Sequence, residues 1–348
     1  MSGIITIDGS QGEGGGQMLR TTLSLAAVTG RAVRLINIRA GRPKPGLAAQ
    51  HMMACRSVAE ACGGRLEGAE IGSQQVELQP GQPAGGEFRF DIGTAGSTNL
   101  VLQSILPPLL FASHPSHVVL TGGTDNPWSP VYSYLQEVFL PTLARMGAQV
   151  RLQRNRAGWY PRGGGEIEAW IEPLRTGLQP LVLSERGPLQ ALICHSLAAD
   201  HLPTHILTRQ CQGVREQLGD LGATMQCLEE SLPAYSPGTT CMVAARFDNG
   251  AGGFTAFGER GKPAEVVGGE AGGHLARFLR QEATVDERLA DQLQLYAAIC
   301  GGASEYYSPR LTGHLHANAQ VIEQLLGVST HFEETRRGVR VSIAGTNP

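Results

Sequence analysis

Lysine is almost missing from this chain. Of its 28 basic side chains only Lys44 and Lys262 are lysines, and the rest are arginines. High genomic GC content accounts for most of that bias, but the shortage still excludes chemistry. A nucleotidyl-lysine mechanism needs a K-x-D-G setting, and both lysines are followed by proline instead. The phosphate-loop signature is missing too. It requires a Lys and then Ser or Thr after its last glycine, whereas Gly16 is followed by Gln17.

Other absences narrow the class further. No apolar run reaches the roughly 18 residues of a membrane span; "LVLQSILPPLLFA" (Leu100 to Ala112) is broken by Gln103, Ser104 and two prolines. The start "MSGIITIDG" has no basic segment before an apolar core, so no secretory signal is expected. The seven cysteines form no C-x-x-C pair and show no zinc-site spacing, so free thiols in a reducing cytoplasm are expected. A net charge of −3 gives no global basic field for nucleic acid.

What is present is glycine, 46 of 348 residues, with 41% hydrophobic side chains. This suits a globular, loop-rich α/β or α+β chain of about two domains. Strand and helix patterns run β-α-β-α-β-β from "GIITID" to "VELQPG", and again from "GEFRFDI" to "GGEIEAWIEP". Two such units of about 80 residues point to a repeated fold without a residue-level repeat. A third unit reads as the strand "GGFTAFGE", the helices "EVVGGEAGGHLARFLRQ" and "VDERLADQLQLYAAICGG", and the strand "GVRVSIAG". Between the second and third lies a different stretch, about Ser184 to Gly250, with the pattern of a small inserted α/β domain.

Four stretches carry candidate chemistry. "IDGSQGEGGGQMLR" packs five glycines into eight residues, with Glu13 inside and Arg20 just beyond. It is either a nucleotide-handling loop, with Glu13 holding a hard cation beside phosphates, or a tight structural turn. "IRAGRPKPGLAAQH" sets Arg39 and Arg42 among prolines ahead of Gln50 and His51, a basic edge for a phosphorylated end or a solvated loop. "GWYPRGGGEI" is a glycine triplet that permits close backbone contact or simply joins two strands. "TGHLHAN" puts His314 after a glycine at a helix start, and neutral imidazole is a competent nucleophile toward phosphorus. His316 beside it fits a helix-face residue.

These stretches, with "TAGSTNLVLQ" and "LADQ", occur in order along nearly the whole chain, and the ordered set strongly resembles the RNA 3'-terminal phosphate cyclases. The resemblance implies an α+β fold: a large domain of three β-α-β-α-β-β units, residues 1–183 and 276–348, with a small thioredoxin-like α/β domain inserted at 184–275. It implies ATP as substrate, Mg²⁺ or Mn²⁺, and RNA with a 3'-terminal phosphate as partner, no membrane, and it leaves a homodimer open. It also implies a covalent histidyl adenylate, transfer of AMP to the RNA 3'-phosphate, and closure by the 2'-OH to a 2',3'-cyclic phosphate.

Residue by residue, His314 matches the nucleophile that begins the family's H-x-x-T-N stretch, and Asn318 matches its Asn. Ala317 stands where the family has Thr. Gln103 and the run Arg288, Leu289, Ala290, Asp291, Gln292 resemble the adenosine-contacting positions, with Arg288 where some members stack an aromatic ring on adenine and Pro130 on the other side. Glu13 resembles the metal ligand. Arg20, Arg39, Arg42, Gln50 and His51 resemble the phosphate-binding set. Two rivals remain at this point. A non-catalytic relative in ribosome assembly lacks the nucleophilic His, which is present here. A carboxyvinyl transferase of similar architecture needs lysines that this chain lacks.

Overall fold

The computed structural model describes residues 3–11, 15–219 and 224–346. The first unit is β1 (Ile5–Asp8), α1 (Gly16–Thr29), β2 (Val33–Ile36), α2 (Ala49–Ala61), β3 (Arg65–Glu67) and β4 (Val76–Gln79). Its sheet runs β1-β2-β4-β3, with β1 and β2 parallel and the rest antiparallel. The second unit repeats this pattern with β5 (Gly86–Asp91), α3 (Thr98–Leu110), β6 (Ser116–Gly122), a composite helix, β7 (Gln149–Arg156) and β8 (Gly165–Glu172). The composite helix is α4 (Tyr132–Tyr134), a π-helical turn (Leu135–Phe139) and α5 (Leu140–Ala144). The sheet order β5-β6-β8-β7 is the order of the first unit.

The inserted unit is β9 (Leu189–Ala199), α6 (His205–Leu218), β10 (Met225–Leu232), β11 (Thr239–Phe247), β12 (Gly250–Phe257) and α7 (Ala264–Leu279). Its sheet runs β10-β9-β11-β12. The strand read as "GGFTAFGE" is β12, which pairs with β11 in this sheet and does not open a third unit. A two-residue alternation fixes which face of a strand is buried but not which sheet the strand joins. The expected later edge of the insert, 275/276, falls inside α7, whose Leu275 and Phe278 share one core with Cys194 and Val214. The two helices of this unit cross closely. A Cβ on Gly268 would lie 1.9 Å from the Gln210 carbonyl oxygen, and one on Gly213 would lie 2.0 Å from that of Glu265. Alanine at either position would force α6 and α7 apart.

The third unit keeps α8 (Glu287–Ala298), β13 (Ser304–Ser308), α9 (Gly313–Leu326), β14 (Thr330–Thr335) and β15 (Gly338–Ile343), in the sheet order β13-β15-β14. Its first strand is reduced to a parallel bridge of Val182 with Glu305 of β13, ahead of the insert: Leu183 N donates to the Glu305 carbonyl at 2.7 Å and Glu305 N to that of Leu181 at 2.9 Å. Asp286 then caps α8. Its carboxylate accepts from the N–H groups of Arg288 and Leu289, from Gly253 N of β12 and from the Tyr134 hydroxyl. One buried carboxylate therefore ties α8 to both the second unit and the insert.

Helix α1 packs against α2, α3 and α9, so it lies where the three units meet. Nine of its residues are buried, among them Leu19, Leu23 and Leu25. Among the described residues no helix is long and apolar enough to cross a membrane.

Candidate active site

A cavity of about 550 Å³ opens at this junction. Each unit supplies a wall: the start of α1 and α2, then α3 with the loop at Trp128–Pro130, then α8 and the start of α9. The volume is that of a nucleotide-sized pocket.

His314 stands at the start of α9, where Thr312 caps the helix by accepting from Leu315 N at 3.0 Å. The same Thr312 hydroxyl donates to Asp291 Oδ1 at 2.6 Å, and Asp291 Oδ2 lies 3.3 Å from His314 Nδ1. Asp291 is largely buried, while the His314 side chain is 42% exposed. Burial raises the Asp291 pKa, against the opposing hydrogen bonds from His314 and Thr312. With Nδ1–H donating to Asp291, the imidazole lone pair resides on Nε2.

Behind this pair Asn318 is fully buried. Its Nδ2 donates to the Asp291 carbonyl at 2.9 Å, and its Oδ1 accepts from Thr21 Oγ1 at 2.7 Å and Gln17 Nε2 at 3.3 Å. Gln17 Oε1 in turn accepts from Arg20 at 2.6 Å. A continuous polar chain thus runs from the imidazole to the arginine across α9, α8 and α1.

Arg20, Arg42 and His51 face the N-terminus of α1, where unpaired amides and the helix dipole favour an anion. Burial lowers the half-buried Arg20 to about 10, so it is a cation at neutral pH. Burial, then the charges of Arg20 and Arg39, pull His51 down to about 3, so it is neutral. Its Nδ1 accepts from Ala48 N at 3.3 Å, which leaves the proton on Nε2. That edge packs on Gly16, where a Cβ would lie 2.3 Å from Nε2. Glycine is required at position 16 for this packing.

Three groups in the cavity wall are buried without a hydrogen-bond partner among the described residues: Gln103 Nε2, Gln292 Oε1 and the Tyr296 hydroxyl. Buried polar atoms normally have partners, so an orphaned donor and acceptor facing one pocket mark it as built for a polar ligand.

Most of the expected site residues line the cavity: Arg20, Arg42, Gln50, His51, Gln103, Pro130, Arg288, Asp291, Gln292 and His314. Four do not. Asn318 sits behind the wall, as described. Arg39 turns away to donate to the Gly46 carbonyl at 2.6 Å. Leu289 and Ala290 are fully buried in the core. The reason is helical period: Arg288, Asp291, Gln292 and Leu295 share one face of α8, and the two apolar residues take the other. Glu13 lies outside the described residues. The one carboxylate among the described lining residues is Asp291, already engaged.

Two residues that sequence reasoning passed over, Asn99 and Trp128, matter to the geometry, and Gln50, which it named, has a structural bond as well. Gln50 Oε1 accepts from Ser97 N at 2.9 Å and ties α2 to the start of α3, a role that fits its place at the cavity edge. Asn99 Nδ2 donates to the carbonyls of Thr124 and Pro130 at 2.8 and 2.9 Å and so holds the loop that carries Pro130. Trp128, on that loop, is 99% exposed at the cavity rim with a left-handed φ of 68°. The run "TDNPWSP" that contains it has no periodicity to single it out. The glycine triplet, by contrast, does not line the cavity. It joins β7 to β8 and packs Gly164 against Tyr235.

The sequence model of the family described as "RNA 3'-terminal phosphate cyclase" matches residues 11–332. The chain belongs to the RNA 3'-terminal phosphate cyclase family. The RNA 3'-terminal phosphate cyclase of Methylococcus capsulatus is 46% identical over 99% of this chain and 95% of its own. That of Archaeoglobus fulgidus is 41% identical over 95% of this chain and 98% of its own, and that of Pyrococcus furiosus 40% identical over 93% and 94%. Cyclase family members from bacteria and archaea thus align along almost their whole length. The junction cavity lies within the matched span, and so do all its lining residues.

Proposed function

We propose that this protein is an ATP-dependent RNA 3'-terminal phosphate cyclase, with His314 as its nucleophile. The observation that carries the reading is the His314–Asp291–Thr312 arrangement at the mouth of a cavity with an anion-binding end and an orphaned donor and acceptor. Gln103 Nε2 and Gln292 Oε1 complement the ring nitrogens and amino group of adenine, between Pro130 and the Arg288 plane. Arg20, Arg42, His51 and the α1 terminus meet the phosphates. Mg²⁺ or Mn²⁺ at Glu13 would add Lewis acidity beside them.

Each step follows from these positions. His314 Nε2 attacks the α-phosphorus of ATP, the bond to the bridging oxygen breaks, and pyrophosphate leaves. Asp291 accepts the Nδ1 proton's hydrogen bond and stabilises the positive charge that grows on the ring. An oxygen of the RNA 3'-phosphate then attacks the same phosphorus and displaces the imidazole. A phosphate dianion is a poor electrophile, and the attached AMP gives it a leaving group. The vicinal 2'-OH closes the ring onto the 3'-phosphorus and AMP departs. That last step is intramolecular and gains the advantage of proximity. The 2'-OH is also what DNA lacks.

The reading is tested by incubating the protein with ATP, a divalent metal and an RNA whose 3'-phosphate is labelled. The expected product keeps its label after phosphatase treatment, because a cyclic diester resists the enzyme that removes a monoester. A label that stays fully phosphatase-sensitive with both Mg²⁺ and Mn²⁺ would move the non-catalytic assembly-factor reading to first place. All seven cysteines are free thiols, which fits action in the cytoplasm.

Trp128 supplies a second expectation. An aromatic ring held in water at the cavity mouth is a stacking platform for a base near the RNA end. Trp128→Ala is expected to raise the KM for RNA about tenfold or more, since one stacked base contributes roughly 1–3 kcal/mol. Steady-state cyclisation at varied RNA, beside ATP-only pyrophosphate release, checks this. Equal losses in both would assign Trp128 to ATP binding instead.

A further inference from the structure

Four of the seven cysteines belong to the inserted unit, three on one face of its sheet and one on the helix that covers that face. Cys194 on β9 and Cys227 on β10 are directly opposite each other in a parallel pair. Cys241 on β11 is two residues from Val243, the partner of Cys194, so its side chain shares that face. Helix α6 covers the face and adds Cys211. The Cys194 sulfur is 3.8 Å from the sulfurs of both Cys211 and Cys241. The sulfurs of Cys194, Cys211 and Cys227 all lie within 4.8 Å of one another.

Buried thiols that merely pack need no cation beside them. Here Arg215, one turn beyond Cys211, brings Nη2 to within 3.0 Å of Cys227 Sγ. Cys194 and Cys211 are fully buried, whereas Cys227 is half-exposed and provides a way in from solvent.

We infer that Cys194, Cys211 and Cys227 form a three-thiolate site for a thiophilic d¹⁰ cation, Zn²⁺ or Cu⁺. A metal–sulfur bond of about 2.3 Å gives a sulfur–sulfur edge of roughly 3.8 Å in a tetrahedral or near-trigonal site. The Cys194–Cys211 separation already has that value. Binding a cation releases to solvent the protons that the three sulfurs carry, and Arg215 beside Cys227 offsets the excess negative charge of three thiolates. Hard Mg²⁺ or Mn²⁺ would not take these ligands, so the site is chemically distinct from one at Glu13. A cation here would cross-link α6 to β9 and β10 and brace the inserted unit. The ligands are 17 and 16 residues apart in sequence, a spacing that no short metal motif contains.

The test uses the full-length protein, reduced, stripped with a chelator and kept without oxygen. Co²⁺ alone is titrated as the spectroscopic stand-in for zinc, and Cu⁺ is offered from a coloured chelator. The result expected is one equivalent bound. It appears either as a thiolate-to-cobalt charge-transfer band that Zn²⁺ abolishes, which assigns zinc, or as Cu⁺ withdrawn from the chelator without a cobalt band, which assigns copper. Cys227→Ser should weaken binding at least tenfold, and Cys62→Ser, in the first unit, should leave it unchanged. Cys227 is chosen because a half-exposed strand position tolerates serine, and circular dichroism verifies folding. The inference is overturned if reduced, folded wild-type protein gives neither signal. It is overturned equally if Cys227→Ser binds as the wild type does.

Discussion

Alanine in place of His314 is expected to abolish covalent labelling of the protein by ATP labelled at the α-phosphate. The label on the wild type should be removed by acid and spared by alkali, as a phosphorus–nitrogen bond requires. Loss should exceed about a thousandfold, because removal of the attacking group leaves only binding. His316→Ala is the control. That ring lies edge-on to Phe332 at 5.4 Å and takes no part in lining the cavity. It should keep most of the label. Equal loss in both variants, with both folded, would mean the nucleophile has been assigned wrongly. Asp291→Asn should fall between them. It keeps the shape of the hydrogen-bonded shell but removes the negative charge that holds the Nδ1 proton and supports the forming cation.

The sequence showed much of this site and hid the rest for physical reasons. His314 was legible because a histidine after glycine at a helix start stands clear of the core, and His316, two residues on, points elsewhere on the same helix. The first two units were legible because their strands and helices alternate in strict order. The third was not. Its opening strand has shrunk to the bridge at Val182, too short for any periodicity and separated from α8 by the insert, while β12, closer in sequence to α8, has a strand pattern and belongs to another sheet. The glycine-rich opening left a choice between a ligand loop and a turn. For Gly16 the structure gives a reason that no local pattern contains: it faces the His51 ring, 35 positions away in the chain. Arg39 and Arg42 read alike in sequence, yet one donates to a backbone carbonyl and the other reaches the cavity. Leu289 and Ala290 were carried along by adjacency in a matched run, and the turn of α8 separates them from their neighbours. The thiol cluster was hidden for the same reason as Gly16, since strand register and helix docking bring its members together.

Arg154→Leu is expected to destabilise the protein by about 3–5 kcal/mol, the cost of leaving a buried charge without its partner. Arg154 is almost wholly buried on β7. Its Nη1 lies 3.2 Å from Asp125 Oδ2, its other terminal nitrogen is bonded to Glu230 of β10, and its guanidinium lies over the Tyr132 ring. It therefore joins the second unit to the insert and anchors the segment that leads to Trp128 and Pro130. Glu230 is partly exposed and can turn into water when the arginine is lost. Asp125, 1% exposed, cannot. Burial already raises the Asp125 pKa against the pull of Arg154, and removing the guanidinium raises it further. A carboxyl whose folded pKa exceeds its unfolded one binds more protons when folded, so its cost is largest at high pH and shrinks as pH falls through the folded value. Urea unfolding should therefore show the full deficit at pH 7 and a smaller one at pH 5. Adding Asp125→Leu to Arg154→Leu should recover most of the loss, because two apolar side chains leave no buried charge behind. A deficit below about 1 kcal/mol, or one that does not change with pH, would show that Asp125 does not depend on Arg154.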